Sequence, residues 1–235
     1  MKYIAVFTML LNHIAVVLIP RESVWYWVLT DVGYFAAVTM CYFLVEGCKY
    51  TRSVKLYRRR ILIFALLSQI PYSMAFAQKG VMEFRNLNML FTLYLCIWII
   101  QILDSVPDPF VRGLTASVPV LGTALCDWPI LAAVYTMLFV WAKESKVRKK
   151  ITFCIAAILL GETVFISNRE LLPMRMNLLN TFGAMLSVLA AGYCILRFYR
   201  GKRMEKGGTF SKWFFYVFYP AHLMILAVMR IYMQR

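Results

Sequence analysis

The chain opens with Lys2-Tyr-Ile-Ala-Val-Phe-Thr-Met-Leu-Leu-Asn-His13-Ile-Ala-Val-Val-Leu-Ile-Pro20. This is an apolar run of roughly the 20-residue length that a helix needs to cross a bilayer. Asn12 and His13 lie near its middle, where lipid offers no hydrogen-bonding partner, so other helices must satisfy them. In a helix, the eleven residues from Lys2 to His13 place both side chains on one face, about 16 Å apart along the axis. That spacing suits a long anionic cofactor whose reactive end reaches into the membrane.

Lys2 and His13 each also have a simpler interpretation. A histidine in a membrane helix can serve only to bridge two helices, and a lysine near the amino end can serve only to orient the helix. Ionisable groups inside a membrane nevertheless often mark functional sites, because burying them is costly. The rest of the chain must decide between the two interpretations.

The composition is that of a polytopic membrane protein. Hydrophobic residues make up 62% of the chain, charged residues make up 16%, and the mean hydropathy is +0.68. A net charge of +15 could indicate a nucleic-acid partner, but such proteins collect their cations on a soluble surface. Here the cations collect in short links between apolar runs, so we expect a lipid bilayer and no nucleic acid as the partner.

Apolar runs recur along the whole chain and predict an all-α fold in one transmembrane domain, 1–235. About nine transmembrane helices are expected, at 3–20, 27–48, 58–77, 87–104, 109–126, 129–142, 150–167, 175–197 and 213–232. The fifth and sixth runs are short and are interrupted by Pro119 and Gly122. We interpret them as a hairpin or a re-entrant pair.

Three strongly basic links predict the orientation of the chain. Residues 49–60, 143–150 and 197–212 hold six, five and six Lys or Arg, which is 17 of the 26 in the chain. Basic links face the cytoplasm, and even numbers of runs separate these three. The amino end is therefore predicted to lie inside and the carboxyl end outside, in a bacterial cytoplasmic membrane, with the links at 79–85 and 168–175 facing out. The stretch 201–208 is predicted to be a flexible basic loop.

Polar side chains also interrupt the later runs. They are Glu46, Gln69, Asn88, Glu162, Asn177, Asn180 and His222. Tyr219 and His222 are three residues apart and share a helix face. His13 and His222 each lie about ten residues into a helix that starts inside, so both are predicted near mid-membrane, in a polar chamber. Alternatively the asparagines are helix-packing groups, His222 is structural and Glu46 pairs with a cation of the nearby loop.

The first basic link carries more arginines than orientation requires. Arg52, Arg58, Arg59 and Arg60 can bind phosphates through paired hydrogen bonds. Attraction to anionic lipid explains each arginine equally well when it is taken alone.

The six cysteines lie singly in apolar runs without a Cys-x-x-Cys spacing. They are interpreted as small buried hydrophobic residues, not as a disulfide framework. Two histidines so far apart in sequence give metal binding little support.

Several motifs, taken in order, resemble the TraX family of polytopic bacterial membrane proteins, which is named for a conjugation protein that acetylates pilin. The motifs are Lys2-Tyr-Ile-Ala followed by Met9-Leu-x-x-His13, Phe43-Leu-Val-Glu46-Gly47 followed by Thr51-Arg52, Tyr57-x-x-Arg60 leading to Gln69-Ile-Pro71, Asn88-x-x-Phe91-Thr92-Leu93, Asp127, Tyr199-x-Gly201, and the closing run Lys212 to His222. The family pattern usually has Asp before the first histidine, where this chain has Asn12. The spacing from Lys2 to His13 is also similar to that of larger transmembrane acyltransferases.

The resemblance implies a membrane acetyltransferase that takes acetyl-CoA from the cytoplasm. The expected phosphate-binding residues are Lys2, Arg52, Arg58, Arg59 and Arg60, and the expected acceptor-binding residues are Tyr219, Asp127 and Glu46. His13 is the expected base or acyl carrier. Asn12 and Asn88 would orient the ring or polarise the carbonyl, and His222 would be a second base or a proton relay. No metal is expected.

Two questions stay open at this point. The acceptor can be a peptide amino terminus, or a hydroxyl or amine of an envelope glycan or lipid. The chain can also be a proton-coupled small-molecule transporter, or a non-catalytic membrane partner of a conjugation or secretion apparatus. The sequence does not predict an oligomeric state.

Overall fold

A computed structural model describes residues 1–77, 86–199 and 208–233, with the backbone alone at 208–212. These residues form nine α-helices and one short 3-10 turn, and they contain no extended strand. The helices are α1 Lys2–Leu18, α2 Val24–Tyr50, α3 Val54–Ala75, α4 Met89–Ser105, α5 Pro109–Gly122, α6 Leu131–Ala142, α7 Lys146–Ser167, α8 Met174–Phe198 and α9 Gly208–Met233. Each of the nine predicted runs corresponds to one helix, so the all-α class is confirmed.

Short polar residues begin four of these helices. The side chains of Ser53, Asn88, Asp108 and Ser145 each accept a hydrogen bond from a backbone N–H in the first turn of the helix that follows. Such caps satisfy donors that have no partner inside the helix. Each of these helices therefore starts at a residue whose side chain stabilises a helix amino end.

Four helices are long and apolar enough to cross a membrane, with mean hydropathies of 1.6 to 1.8. They are Val24–Tyr50, Lys146–Ser167, Met174–Phe198 and Trp213–Met233. These helices indicate a membrane protein. Nine complete crossings, the orientation and the cytoplasmic membrane as location stay predictions. The outward link at 79–85 and the basic loop up to 207 lie outside the described residues.

The chain divides into two compact units, each of which is described by itself. Unit 1 comprises residues 1–42 and 141–199, and unit 2 comprises residues 43–140 and 200–235. Unit 1 therefore contains α1, α7, α8 and the first part of α2. Unit 2 contains α3, α4, α5, α9, most of α6 and the end of α2. The single domain predicted from the sequence stays a prediction.

Glycines allow close helix packing in unit 1. A Cβ atom at Gly33 of α2 would overlap the side chain of Asn12 on α1. The Asn12 Nδ2 atom donates a hydrogen bond to the Thr30 carbonyl oxygen, at 3.2 Å. Residues 12 and 13 of α1 are therefore level with residues 30–33 of α2.

Between α7 and α8, a Cβ at Gly192 would lie 2.6 Å from the Phe153 ring.

In unit 2, α3 packs antiparallel to α4 and parallel to α9. Near the start of α3, the Arg58 guanidinium lies 3.8 Å from the centre of the Trp98 ring on α4. Phe64 stacks on Tyr216 of α9, with ring centres 4.8 Å apart. At the end of α3, Arg230 donates a hydrogen bond of 2.9 Å to the carbonyl oxygen of the last helical residue. A cation there complements the negative end of the helix dipole.

Candidate functional site

The first predicted site residue, His13, is buried in unit 1. Its side chain is 8% exposed, on the same helix as Lys2. Because α1 is unbroken from Lys2 to Leu18, the predicted rise of about 16 Å between the two residues applies. Lys2 itself is exposed at the first position of the helix. The link between Lys2 and a ligand phosphate stays a prediction.

Asn12 fixes α1 against α2 at the level of His13. Its amide donates to the main chain of α2 at Thr30, and Gly33 leaves room for its side chain. This contact positions the turn that carries the imidazole. Whether Asn12 also orients the ring stays a prediction.

An acid that the sequence analysis passed over lies beside this turn. Asp31 is in α2, where its Oδ1 atom accepts a hydrogen bond of 2.7 Å from Asn180 Nδ2 of α8. The Asn180 Oδ1 atom in turn accepts one of 2.7 Å from Asn168, which ends α7. The signal in the sequence was an unpaired Asp within an apolar run, four residues after Trp27. The three side chains connect three helices of unit 1.

His222 of α9 has its ring fixed by a helix carbonyl. Its Nδ1 atom lies 2.7 Å from the Phe218 carbonyl oxygen, and its ring stacks on Phe218 with centres 4.8 Å apart. A carbonyl can only accept, so Nδ1 donates and the lone pair of the neutral ring is on Nε2. The side chain is 4% exposed. A buried imidazole with one nitrogen fixed has the arrangement of a general base.

Tyr219 shares a helix face with His222, as the sequence predicted, with ring centres 5.7 Å apart. Its phenol is buried at 3% exposure. Asp127 is close enough to act electrostatically on the phenols of both Tyr219 and Tyr72. One carboxyl group, two phenols and an imidazole therefore lie in the same region of unit 2.

Asp127 belongs to a short loop between α5 and α6 that fixes it from several sides. Its backbone N–H donates to the Leu87 carbonyl at 2.7 Å, and its carbonyl accepts from Thr92 Oγ1 at 2.5 Å. Burial raises the pKa of its carboxyl to about 6, although a hydrogen bond from the Trp128 N–H to Oδ1 opposes the shift. A partly protonated carboxyl is thus expected near neutral pH.

The same loop carries backbone strain. Trp128 and Ile130 both have φ of 59°, and neither is glycine. A β-branched residue in the left-handed region is a true outlier, and each such residue costs about 1 to 3 kcal/mol. The Ile130 N–H donates to Thr123 Oγ1 at 3.1 Å, which helps to hold this geometry. Strain of this kind is characteristic of sites where the position of a side chain matters.

Asn88 begins α4 and is fully buried in a network of amides. Its Oδ1 atom accepts from the Leu90 N–H at 3.0 Å. Its Nδ2 atom donates to the Ala65 carbonyl and to Gln69 Oε1, both at 2.8 Å. Both amide hydrogens are therefore used to bind α4 to α3. The catalytic role predicted for Asn88 stays a prediction, and these contacts describe a helix cap.

The four arginines of the first basic link differ in their surroundings. Arg52 and Arg59 are exposed, whereas Arg58 and Arg60 are half-buried. The Arg58 side chain is occupied by Trp98 and by a hydrogen bond of 2.6 Å to Gln101.

The Arg60 guanidinium is close enough to the Tyr216 phenol to act on it electrostatically, while its buried Nε atom has no hydrogen-bond partner among the described residues. Glu46, near the end of α2, is buried at 6% exposure. Of the four arginines in the link, Arg52 and Arg59 are therefore the two that are exposed to an anionic ligand.

Residues 1–230 match the family model described as TraX protein. The chain belongs to the TraX family. The resemblance seen in its motifs is confirmed, and the match includes both histidines and the arginine link.

A Dichelobacter nodosus protein is also similar to the chain. Named "Probable fimbrial assembly protein FimC, serogroup H1", it is 28% identical over 253 residues, covering 100% of this chain and 96% of the relative. No solved structure matches this member of the TraX family.

The predicted site residues fall into two groups by unit. Unit 1 holds Lys2, Asn12 and His13, together with the unforeseen Asp31. Unit 2 holds Glu46, Arg52, Arg58, Arg59, Arg60, Asn88, Asp127, Tyr219 and His222. The common depth predicted for the two imidazoles stays a prediction.

Proposed function

We propose that this protein is a membrane acyltransferase that moves an acetyl group from cytoplasmic acetyl-CoA to an amine or hydroxyl acceptor. The membership of the TraX family carries the proposal, because the family is named for pilin acetylation. The relative is named as a probable fimbrial assembly protein. The two buried imidazoles supply the base that acyl transfer requires.

The start of α3 supports binding of the donor phosphates. Arg52 and Arg59 are exposed there. Guanidinium groups bind phosphate through paired hydrogen bonds. The residues present at this end of unit 2 therefore fit a polyanionic nucleotide.

His222 lies deeper along the same unit. Arg60 contacts Tyr216 of α9, and His222 is six residues further along that helix, a rise of about 9 Å. A ligand held at Arg60 would therefore extend toward an imidazole along the α3–α9 packing. This observation favours His222 as an alternative base to His13.

The proposed base first takes a proton from the acceptor and then gives it to the leaving thiolate of CoA. The imidazole takes the proton from the acceptor N–H or O–H while the acceptor atom bonds to the thioester carbonyl carbon. The carbon–sulfur bond then breaks, and the imidazolium returns the proton to the departing thiolate. A buried base is effective here because fixed dipoles act strongly where water is excluded.

The remaining predicted residues take supporting roles in the proposal. Asp127, Tyr219 and Glu46 would bind the acceptor, and the strained loop supports this role for Asp127 because its hydrogen bonds to Leu87 and Thr92 hold it in place despite the cost of the strain. Asn12 and Asn88 would act by positioning α1 and α4. We propose the bacterial cytoplasmic membrane, with the amino end inside, as the location.

Donor binding is tested with purified protein in detergent and labelled acetyl-CoA. The affinity should fall as the salt concentration rises, because screening weakens contacts to phosphate. Acetylpantetheine, which lacks the nucleotide phosphates, should bind weakly and without this salt dependence. Equal affinity for both donors would contradict the phosphate site and leave the arginines with a role at the lipid surface.

The two imidazoles are distinguished by single substitutions. His13→Ala should abolish release of CoA if His13 is the base, while His222→Ala should lower it only in part. The reverse result would assign the base to His222. If both variants turn over acetyl-CoA like the wild type, buried-histidine catalysis is wrong and a non-catalytic assembly role is favoured.

A further inference from the structure

Asp31 lies near the start of α2, the longest of the described helices. The 27 residues of α2 make about 40 Å of helix, and a bilayer core is about 30 Å thick. Asp31 is seven residues from the start of α2 at Val24, a rise of roughly 10 Å. If α2 spans symmetrically, the carboxyl lies about 5 Å below the edge of the core. Trp25 and Trp27, about two turns and one turn nearer the start of the helix, are typical of that edge.

Two asparagines form a chain of hydrogen bonds that ends at the Asp31 carboxyl. Asn168 donates to Asn180, and Asn180 donates to Asp31 Oδ1, at 2.7 Å in each case. The Oδ2 atom lies against α8 at Gly183, where a Cβ would overlap it. Two asparagines and a glycine thus hold the carboxyl in one position, and the residue remains half-buried, not sealed.

No cation of the described chain pairs with this acid. Asn180 is its hydrogen-bond donor, and no Lys or Arg of the described part of unit 1 forms an ion pair with it. A carboxylate close to hydrocarbon is costly unless it is paired. That Asp31 has no cationic partner among the described residues is unexpected in a chain with 26 Lys and Arg and 11 Asp and Glu.

We propose that Asp31 is a binding site for a primary ammonium group that comes from outside the chain. An ammonium supplies the missing positive charge and N–H donors for the carboxyl oxygens, which shortens and strengthens the hydrogen bonds. A quaternary ammonium has the charge without the donors. The source is the headgroup of an aminophospholipid or a soluble primary amine, and the site does not depend on acyl transfer.

The competing explanation is a protonated Asp31 that only packs α2 against α8. Thermal unfolding of the full chain in detergent separates the two explanations. With phosphatidylethanolamine at about ten times its Kd, the midpoint should rise by roughly 3 to 5 °C. Phosphatidylcholine at the same concentration should give little or no rise, because its headgroup lacks N–H donors.

Two substitutions assign the effect to the carboxylate. Asp31→Asn keeps the size and an acceptor for Asn180, so it should fold and lose the shift. Glu162→Gln is the matched control, because Glu162 is an exposed acid on α7 of the same unit and should keep the shift. Free ethanolamine, tested alongside choline, identifies the source. A rise with ethanolamine indicates a soluble amine, and a rise with the phospholipid alone indicates a headgroup site.

Three results would overturn the site. They are no shift with either primary amine in the wild type, equal shifts for the ethanolamine and choline headgroups, and a full shift in Asp31→Asn. Each of these would leave Asp31 as a group that packs helices.

Discussion

Asn88 provides the most quantitative test of how unit 2 is held together. Asn88→Ala removes the cap of α4, which is worth about 1 kcal/mol. It also removes two buried hydrogen bonds, to the Ala65 carbonyl and to Gln69 Oε1, each worth about 1 kcal/mol. The free energy of unfolding should therefore fall by about 3 kcal/mol.

Asn88→Asp separates the cap from the donors. The carboxylate still accepts from the Leu90 N–H, but it cannot donate to the two oxygens that the amide now contacts. If the donors matter, Asp costs at least as much as Ala, because it faces two acceptors without a hydrogen between them. If only the cap matters, Asp is close to the wild type.

The assay is equilibrium unfolding in mixed micelles, followed by circular dichroism. Asp108→Ala is the control, because the side chain of Asp108 is an exposed cap that accepts one hydrogen bond, from the Val111 N–H, and its loss should cost about 1 kcal/mol. The reasoning is refuted if Asn88→Ala costs no more than this control, or if Asn88→Asp unfolds like the wild type.

Three further predictions concern the arginine link, the strained loop and the packing of α1. Arg59→Gln should raise the KM for acetyl-CoA at unchanged kcat, whereas Arg58→Gln should lower stability by about 1 to 2 kcal/mol because its contacts are internal. Burial raises the pKa of Asp127 from 3.8 to about 6 in the folded state. The folded protein therefore binds this proton more tightly than the unfolded chain, and the free energy of unfolding falls as the pH rises from about 4 to 6. Asp127→Asn should remove that part of the decline in melting temperature. Gly33→Ala should destabilise by about 1 to 3 kcal/mol through overlap with Asn12, and Asn12→Ala should relieve part of the loss.

Each of these has a contrary result. Equal changes in KM for the two arginine variants would mean that exposure does not predict phosphate contact. An unchanged pH profile in the Asp127 variant would mean that its proton affinity is the same in the folded and unfolded states. Additive losses in the double variant of α1 and α2 would mean that the two side chains do not compete for space.

The sequence predicted the helices well because membrane helices are encoded by long apolar runs. Each predicted run has a corresponding helix, and α5 and α6 remain separate around the Asp127 loop, as expected. Local spacing also predicted correctly that Tyr219 and His222 share a face, because three residues make almost one helical turn.

The tertiary contacts of the candidate site could not be predicted in this way. Asp31 and Asn180 are 149 residues apart in sequence, so only the packing of α2 on α8 brings them together. The contacts of Arg58 with Trp98 and Gln101 could not be predicted either, because they depend on the antiparallel packing that brings the end of α4 beside it, and its role in phosphate binding stays a prediction. The sequence alone marks a charge or an amide as costly in the membrane, and it does not identify the partner.

Release of CoA from acetyl-CoA by the purified protein is the most direct test of acyl transfer. The free thiol would be followed with a chromogenic reagent, in the wild type and in the His13→Ala, His222→Ala double variant, with donor binding measured in parallel. With a small primary amine added to take the acetyl group, the proposal predicts turnover in the wild type, and in the double variant it predicts retained binding with release reduced to the uncatalysed rate. Binding without turnover in the wild type, or equal release by both proteins, would contradict it.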